Sequence, residues 1–454
     1  MAHPAPESSW YSAAELERLA GRGVHLPRPE QVAIRRDVPL ERLAPGARLH
    51  PFCRLSGAAT RVDAGAELGA GGPATLDNAW VGPGAAIGTL GPVTLREAAC
   101  GPGTVLGCGV AEEAVFLGKE SQDTPFSAGY GFRVRKGTLY EEDASSAQHT
   151  DTKMTLLFPW VTLGSSLNWC DVLVAGGVGA GPGEFSEIGS GAIHFNFTPR
   201  GDKATATLLG NAVDGVFLDQ PRLFVGGNAS VIGPLHAEFG AVTLAGERYT
   251  RYLHAGLNPP HGTQDTAALV TGMYDLESYG SIKRVFDTQI AYLGELAALD
   301  AWYAHVRARI AQGHPDRAAL YERGRAMVRL NLDERVAQLA GLAGRMEGSA
   351  RKLAARRPGD PRIAQHEALL RSWPEIERHL RRTTLAQDAP SAAFLRALEE
   401  SLEGGVADGT AERYTAVVRH LAPPGRAAGR AWLAGVRARV AAPEVLARVP
   451  AVAG

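Results

Sequence analysis

An aliphatic or small residue returns every six positions in the N-terminal half of this sequence, and that spacing constrains the fold more than any other feature. The longest unbroken series contains Val81, Ile87, Val93, Ala99, Val105, Ala111 and Leu117. The same spacing, one residue out of phase, joins Val62 and Leu68, and it resumes later at Val225, Val231 and Ala237. An α-helix repeats every 3.6 residues and a coiled coil every seven, so a period of six belongs to neither.

A six-residue period is typical of a solenoid in which each short strand turns a corner after six residues and three strands complete one coil. Glycine tolerates the backbone conformations of such corners, and 54 of the 454 residues are glycine. A β-sandwich is the main alternative, but it does not hold one phase through seven positions. We therefore predict a left-handed parallel β-helix over residues 46–247, with an excursion at 119–160 and a helical or irregular segment at 1–45.

Charge and periodicity both change near residue 280. Residues 281–454 contain 27 basic and 19 acidic residues, whereas residues 1–280 contain 20 and 29. Apolar residues in the second part recur at three and four positions, as in Ile290, Leu293, Leu296 and Leu299, which is typical of amphipathic helices. We predict a linker at 248–284 and an α-helical domain at 285–454. Its arginines alternate with acidic residues along the helix faces, so binding to nucleic acid is not expected.

Composition and cysteine content indicate the class of protein and its cellular compartment. The chain is 45% hydrophobic and 21% charged with a formal net charge of −1, which is ordinary for a globular protein. Its four cysteines show no C-x-x-C spacing, so neither a zinc site nor a disulfide scaffold is expected. The first residues lack the basic and apolar regions of a signal peptide, and no uncharged apolar run is long enough to span a membrane. We expect a cytoplasmic protein that binds no metal and does not contact a membrane.

Four segments in series resemble a known family. They are I-G-S-G-A-I-H-F-N-F at 188–197, G-D-K-A-T-A-T-L-L-G at 201–210, V-G-G-N-A-S-V-I-G-P at 225–234 and F-G-A-V-T-L-A-G at 239–246. This series resembles the acetyltransferase domain of the bacterial bifunctional N-acetylglucosamine-1-phosphate uridylyltransferase/glucosamine-1-phosphate acetyltransferase. The resemblance covers roughly residues 160–247, and residues 50–118 share only the six-residue period. It implies a homotrimer that takes acetyl-coenzyme A or another acyl-coenzyme A.

The resemblance also implies site residues. Asn196 matches an asparagine, and Phe197 a tyrosine, of the sugar-phosphate pocket, while Lys203 lies one position beyond a phosphate-contacting lysine. Gly227 matches a serine near the acyl thioester, and Ala245 lies in the loop against which the cofactor packs. These five positions are the expected substrate and cofactor contacts.

The family's general base is a histidine, and this sequence has Asp171 at that position. A carboxylate accepts a proton from an ammonium group poorly unless burial raises its pKa. An aspartate that hydrogen-bonds a corner turn is the alternative interpretation of Asp171. His149, in the predicted excursion, and His194, beside a repeat position, are the possible substitutes, although they also fit a solvated loop and a buried core histidine.

Cations precede the His149 segment. Arg133, Arg135 and Lys136 could hold a phosphate or nucleotide, or could lie on a solvated strand edge. The family's glycine-rich nucleotidyltransferase loop is only faintly matched at 19–23, where a helix ending at glycine is the better interpretation. Pyrophosphorylase activity is not expected.

Two functional hypotheses remain open from the sequence. The first is acyl transfer from an acyl-coenzyme A to a sugar phosphate or sugar nucleotide. The second is a non-catalytic sugar-nucleotide-binding or scaffold protein that uses the β-helix as a recognition surface. Phe197 and Asp171 favour the binding or scaffold hypothesis. Phe197 lacks the hydroxyl of the family's tyrosine, and Asp171 replaces the family's histidine base.

Overall fold

The computed structural model describes residues 9–121, 125–195, 204–261, 279–280, 282–386, 388–411 and 413–451. Residues 33–258 form a parallel β-solenoid of about 11 turns, and helices follow over residues 282–446. The predicted fold class is therefore confirmed. The solenoid begins before the predicted start at residue 46 and continues beyond the predicted end at residue 247.

Short strands stack in parallel on three faces, which the chain visits in the order face 1, face 2, face 3. Face 1 contains Ala33–Ile34, Arg54–Ser56, Ala74–Asp77, Val93–Arg96, Ile193–Phe195, Ser230–Ile232 and Arg248–Tyr249. Face 2 contains Arg61–Val62, Trp80–Val81, Ala99–Cys100, Ala114–Phe116, Thr138–Tyr140, Thr207–Leu209 and His236–Ala237. Face 3 contains Arg48–Leu49, Glu67–Leu68, Ala86–Ile87, Ser145–Ser146, Val161–Leu163, Ser186–Ile188, Phe224–Val225, Ala241–Thr243 and Gly256–Asn258. Four longer strands turn a corner: Val105–Glu112 and Ala128–Val134 run from face 3 to face 1, and Asp151–Leu157 and Asn168–Val174 run from face 1 to face 2.

One coil in the first part of the solenoid takes 19 residues. The pairing on face 3 advances from Arg48 to Glu67, Ala86 and Val105. The next residue in each of these strands points inward, and Leu49, Leu68, Ile87 and Leu106 are all almost fully buried. Three strands of six residues therefore leave one residue per coil for a corner.

The corner between face 1 and face 2 has a repeated backbone conformation. Five coils place Asn78, Glu97, Glu113, Met154 and Asp171 there, all with φ between +47° and +61°, and the coil between Glu113 and Met154 has Gly137 with φ +74°. Residues other than glycine, asparagine and aspartate rarely adopt this left-handed backbone conformation. Stacking of the coils therefore dictates the conformation of Asp171 before any functional role is considered.

The polar sequence at 119–160 predicts an excursion, but residues 128–157 form coils of the solenoid. Their strands pair in register with the coils on either side. The aliphatic period is hidden here because the interior is polar: Tyr140, Ser146 and Thr152 are buried inside the prism. The excursion was predicted from a polar sequence that turns out to face inward.

The helices are α1 (Ala13–Gly21), α2 (Ala212–Gly215), α3 (Ile282–Trp302), α4 (Pro315–Gly344), α5 (Met346–Arg356), α6 (Arg362–Thr384), α7 (Ala392–Asp408), α8 (Tyr414–His420), α9 (Pro423–Val440) and α10 (Pro443–Leu446). Short 3₁₀ turns occupy Pro29–Gln31 and Leu40–Arg42. α1 confirms the helical run that ends at glycine, and its N-terminus has a Ser12–Glu15 capping box. Within the described ranges, no helix is both long enough and apolar enough to cross a bilayer.

The helical domain lies against face 2 of the solenoid. α4 contacts the strands Ala114–Phe116 and Thr138–Tyr140. α3 continues through a π-helical turn, Tyr303–Arg307, into Ala308–Ile310. A π turn shifts the side chains that follow it relative to a regular helix, and here Tyr303 and Arg307 contact the solenoid. We call the contact region between the helical domain and face 2 the seam.

Candidate functional site

A buried arginine connects the two domains at the centre of the seam. Arg307 is fully buried and forms ion pairs with Glu142 at 2.6 Å and with Glu141 at 2.9 Å. The Tyr303 hydroxyl donates a hydrogen bond to Glu141 over 2.6 Å. The two carboxylates therefore have direct partners on the π-helical turn Tyr303–Arg307, across the domain boundary.

Three tyrosine rings enclose the same guanidinium. The carbon centre of Arg307 lies 3.6 Å from the ring centroid of Tyr414, 4.7 Å from that of Tyr303 and 4.9 Å from that of Tyr321. Burial acts to lower the pKa of Arg307, but the charges of Glu141 and Glu142 outweigh it and raise the pKa well above its usual value. Arg307 therefore stays cationic, and its neighbours already fill the space around it.

Next to this cluster, an open cleft of about 520 Å³ lies between the domains, and we call it the seam cleft. The solenoid side is lined by Trp80, Pro83, Pro102, Leu117, Lys119, Glu120 and Glu142. The helical side is lined by Gly313, His314, Pro315, Asp316, Arg317, Leu320, Tyr321 and Arg413. Apolar walls with a few charged groups at a domain boundary are the usual features of a small-molecule site.

Glu120 is a carboxylate of the seam cleft whose pKa is raised into the neutral range. Burial raises its pKa to about 7, and the nearby charge of Glu142 adds to the rise. Hydrogen bonds from the backbone N–H groups of Tyr414 and Thr415 and from the Thr415 hydroxyl act in the opposite direction. The carboxylate therefore caps the N-terminus of α8 and titrates near neutral pH.

The structure places Asp171 under the helical domain. Its side chain is buried, and its Oδ1 accepts a hydrogen bond from Arg335 of α4 over 2.8 Å. Arg335 is itself 2% exposed. The residue aligned with the family's base is thus part of an interdomain ion pair, and its predicted role as a base stays a prediction.

His194 lies inside the prism with both ring nitrogens in hydrogen bonds. Nδ1 is 2.5 Å from the carbonyl oxygen of Cys170, and Nε2 is 2.9 Å from the hydroxyl of Thr207. Because a carbonyl oxygen only accepts, Nδ1 carries the proton and Nε2 accepts from Thr207. Burial lowers the pKa of His194 to about 4. The imidazole is therefore neutral at pH 7.

His149 and the cations near it lie on the corner between face 3 and face 1 and on face 1. His149 is exposed, has φ +54°, and meets the Tyr130 ring edge-on at 5.6 Å. Arg133 is exposed, whereas Arg135 forms an ion pair with Asp151 at 2.6 Å. His149 thus belongs to a regular corner of the solenoid, apart from Asp171 and the seam cleft.

Gly227 and Ala245 come together in successive corner turns. The N–H of Gly246 donates to the carbonyl oxygen of Gly227 over 2.8 Å, and Ala245 is exposed beside it. A side chain could not replace Gly226, because its Cβ would lie 2.5 Å from the nitrogen of Ala245. The expected cofactor positions are therefore neighbours. Asn196, Phe197 and Lys203 lie outside the described residues.

No motif or spacing in the sequence marks Glu120, Glu141, Glu142 or Arg307. The acidic run at 141–143 was visible as part of a polar segment, but no local pattern marks the partner. Arg307 and Glu142 are 165 residues apart along the chain. Only the packing of the helical domain on face 2 brings them together.

Among the described residues, no group of three or more His, Cys, Asp or Glu side chains is arranged to hold a metal ion. The four cysteines are unpaired thiols. No family model matches the sequence. A search of curated proteins finds no significant match. Function is therefore inferred from the fold and from the seam cleft.

Proposed function

We propose that this protein binds a sugar phosphate or sugar nucleotide in the seam cleft. The observation that carries the proposal is the cleft itself, about 520 Å³ in volume and placed between two domains that both contribute charged groups. Pockets of roughly 300–1,000 Å³ are typical of small-molecule sites. The volume therefore suits a ligand of this class.

The charges of the seam cleft match the two parts of such a ligand. Lys119, Arg317 and Arg413 supply cationic groups for phosphate oxygens. Glu120 and Glu142 supply carboxylate oxygens, which accept hydrogen bonds from sugar hydroxyls. A ligand bound here would touch both domains and would therefore stabilise the seam.

Binding without catalysis is favoured by the positions of the residues expected to act as bases. Asp171 is held in an ion pair with Arg335. His194 is buried and uses both ring nitrogens. The helical domain covers face 2, next to the corner between face 1 and face 2 at which Asp171 lies. These contacts favour the second of the two hypotheses drawn from the sequence, a non-catalytic protein that uses the β-helix as a recognition surface. In this protein the helices of the same chain cover part of that surface.

Isothermal titration calorimetry with a hexosamine phosphate and a UDP-sugar tests the proposal. The variants are Lys119→Gln and Arg413→Gln, and the control is Arg378→Gln on the exposed side of α6. We expect binding to the wild type, at least about tenfold weaker binding to the two cleft variants, and unchanged binding to the control. The proposal fails if neither ligand binds, or if both cleft variants bind as the wild type does.

Acyl transfer is the second candidate, and Glu120 is the observation that favours it. A carboxylate with a pKa of about 7 in a cleft is suited to accept a proton near neutral pH. In this reaction an amine or hydroxyl of the sugar attacks the thioester carbonyl of acetyl-coenzyme A. The new C–N or C–O bond forms, the C–S bond breaks, the proton of the nucleophile goes to Glu120, and the thiolate of coenzyme A leaves. The β-solenoid is compatible with acyltransferases of this kind.

Release of free thiol from acetyl-coenzyme A distinguishes this candidate from binding alone. If the protein is an acyltransferase, Glu120→Gln lowers turnover by roughly 10²–10⁴-fold. Glu113→Gln, an exposed glutamate paired with Lys136 at 3.2 Å, is the matched control. Asp171→Asn and His149→Ala test the bases expected from the sequence in the same assay. Absence of thiol release across a panel of amino sugars and sugar nucleotides would leave the binding function.

The homotrimer implied by the resemblance remains part of this proposal. Acyltransferases of the resembling family build sites between neighbouring prisms, so assembly bears on catalysis. Light scattering should give about three times the 47.9 kDa of one chain. A mass equal to one chain would exclude a site shared between copies.

A further inference from the structure

A second cavity, of about 490 Å³, shares Trp80 with the seam cleft as a lining residue. Its charged lining includes three arginines: Arg42 from the N-terminal segment, Arg61 from face 2 and Arg323 from α4. Alanine side chains at 44, 59 and 319 form part of the wall and leave the space open. We call it the arginine cavity.

Trp80 and Arg61 form the rigid side of this cavity. The Trp80 indole N–H donates to Asp63 over 2.7 Å, and its ring lies 4.9 Å from the Arg61 guanidinium. Arg61 in turn bonds Asp63 at 2.6 Å and Asp316 at 2.7 Å. Two carboxylates therefore satisfy the charge of Arg61, and the hydrogen-bonded indole lines both the arginine cavity and the seam cleft.

Arg42 and Arg323 differ from Arg61 in their partners. Within the described part of the chain, no carboxylate lies within ion-pair distance of either guanidinium, and this includes Glu41, which lines the same cavity. The Arg323 guanidinium lies 5.8 Å from the centroid of the Trp80 ring. Burial lowers the pKa of Arg323, Glu97 acts against that change, and the charge of Arg42 lowers the pKa further. Two cations thus face one cavity without a direct ion-pair partner among the described residues, although Glu41 and Asp63 also line it.

We propose that the arginine cavity binds the phosphate group of a small phosphorylated molecule through Arg42 and Arg323. Two guanidinium groups supply several N–H donors in planar arrays, which suit a phosphate with two negative charges better than a carboxylate with one. Binding would place a phosphate in direct contact with Arg323, which is partly buried and has no ion-pair partner among the described residues. This site is separate from the seam cleft and does not depend on the ligand proposed there.

Calorimetry on the full chain at low ionic strength tests the inference, with inorganic phosphate and glycerol phosphate as probes and succinate as the carboxylate comparison. Arg413→Gln serves as the background, because it weakens the seam cleft and leaves the arginine cavity intact. We expect both phosphates to bind more tightly than succinate. Arg323→Gln should weaken phosphate binding at least about tenfold, and Arg378→Gln should leave it unchanged.

Thermal unfolding gives a second readout that a merely structural role would not produce. Phosphate should raise the melting temperature of the wild type and not that of Arg323→Gln, whose melting temperature without phosphate should be unchanged or higher. Arg42→Gln provides the same comparison if Arg323→Gln does not fold. The inference is overturned if phosphate neither binds nor stabilises the wild type, if Arg323→Gln or Arg42→Gln binds it equally well, or if succinate binds as tightly as phosphate.

Discussion

Replacing Arg307 with methionine should weaken the contact between the solenoid and the helical domain and lower the free energy of unfolding. The change keeps most of the side-chain volume but leaves Glu141 and Glu142 buried without the cation that now lies 2.6–2.9 Å away. At that distance and an effective dielectric constant of about 20, each ion pair is worth roughly 6 kcal/mol before desolvation is counted. Desolvation offsets much of this, and removing one partner of a buried pair typically costs about 3–5 kcal/mol. We expect a loss of that size at pH 8.

The loss should depend on pH in a defined direction. Burial raises the pKa of Glu141 to about 7, so at pH 5 this carboxyl is already neutral and needs the cation less. The cost of Arg307→Met should therefore be smaller at pH 5 than at pH 8. Urea unfolding followed by circular dichroism and by tryptophan fluorescence measures both values.

Arg309→Met is the matched control, since this arginine lies two residues further along and is 43% exposed in its pair with Glu399. An exposed pair is worth at most about 1 kcal/mol. Adding Glu142→Gln to Arg307→Met should recover part of the lost stability, because it removes one uncompensated charge. A cost of less than about 1 kcal/mol for Arg307→Met at pH 8, or an equal cost at both pH values, would refute this account of the seam.

Three further outcomes follow from the structure. Asp171→Asn keeps the shape and the left-handed backbone but removes the charge that faces Arg335, so the free energy of unfolding should fall by about 1–3 kcal/mol in urea titrations. Glu120 and Glu141 have pKa values raised to about 7, so the folded state holds their protons more tightly than the unfolded state. Their contribution to stability should therefore fall as pH rises from about 4.5 to about 7, while buried histidines such as His194 act in the opposite direction. Replacing both glutamates with glutamine should make the urea midpoint rise more, or fall less, over this range than in the wild type, and an unchanged pH profile would contradict the assignment. Gly101→Ala would place a Cβ 2.2 Å from a carbonyl oxygen of the next coil, so calorimetry should show a loss of about 1–3 kcal/mol.

The solenoid was predictable because the inward residue of each strand is a local property of the sequence. The six-residue series identified Val81, Ile87 and Val93, all of which are buried. It failed at Val105, which is half-buried while Leu106 points inward. A coil of 19 residues explains the failure, because a strict count of six loses one position in each turn. The phase difference of the earlier pair at 62 and 68 has the same cause.

The seam could not be predicted in the same way. Nothing near Glu120 in the sequence shows that α8, almost 300 residues later, will place its first backbone N–H groups on that carboxylate. Asp171 illustrates the converse, because alignment gave it a chemical role and the fold gives it an ion pair with Arg335. Local patterns determine strands and corners, whereas the pKa and partners of a side chain depend on which distant surface covers it.

The helical domain has a consequence for how the solenoid opens. In a free solenoid each coil is held only by its neighbours, so the coils form a one-dimensional array in which short stretches melt independently. Here the helical domain bonds coils far apart in that array, from Arg61, which pairs with Asp316, to the carbonyl oxygen of Pro234, which accepts from Arg284. Opening any coil between these two points disturbs a body attached to all of them, so they should exchange their amide hydrogens slowly and together. The first and last coils lie beyond these two attachments, so their amide hydrogens should exchange faster than those of the coils between them.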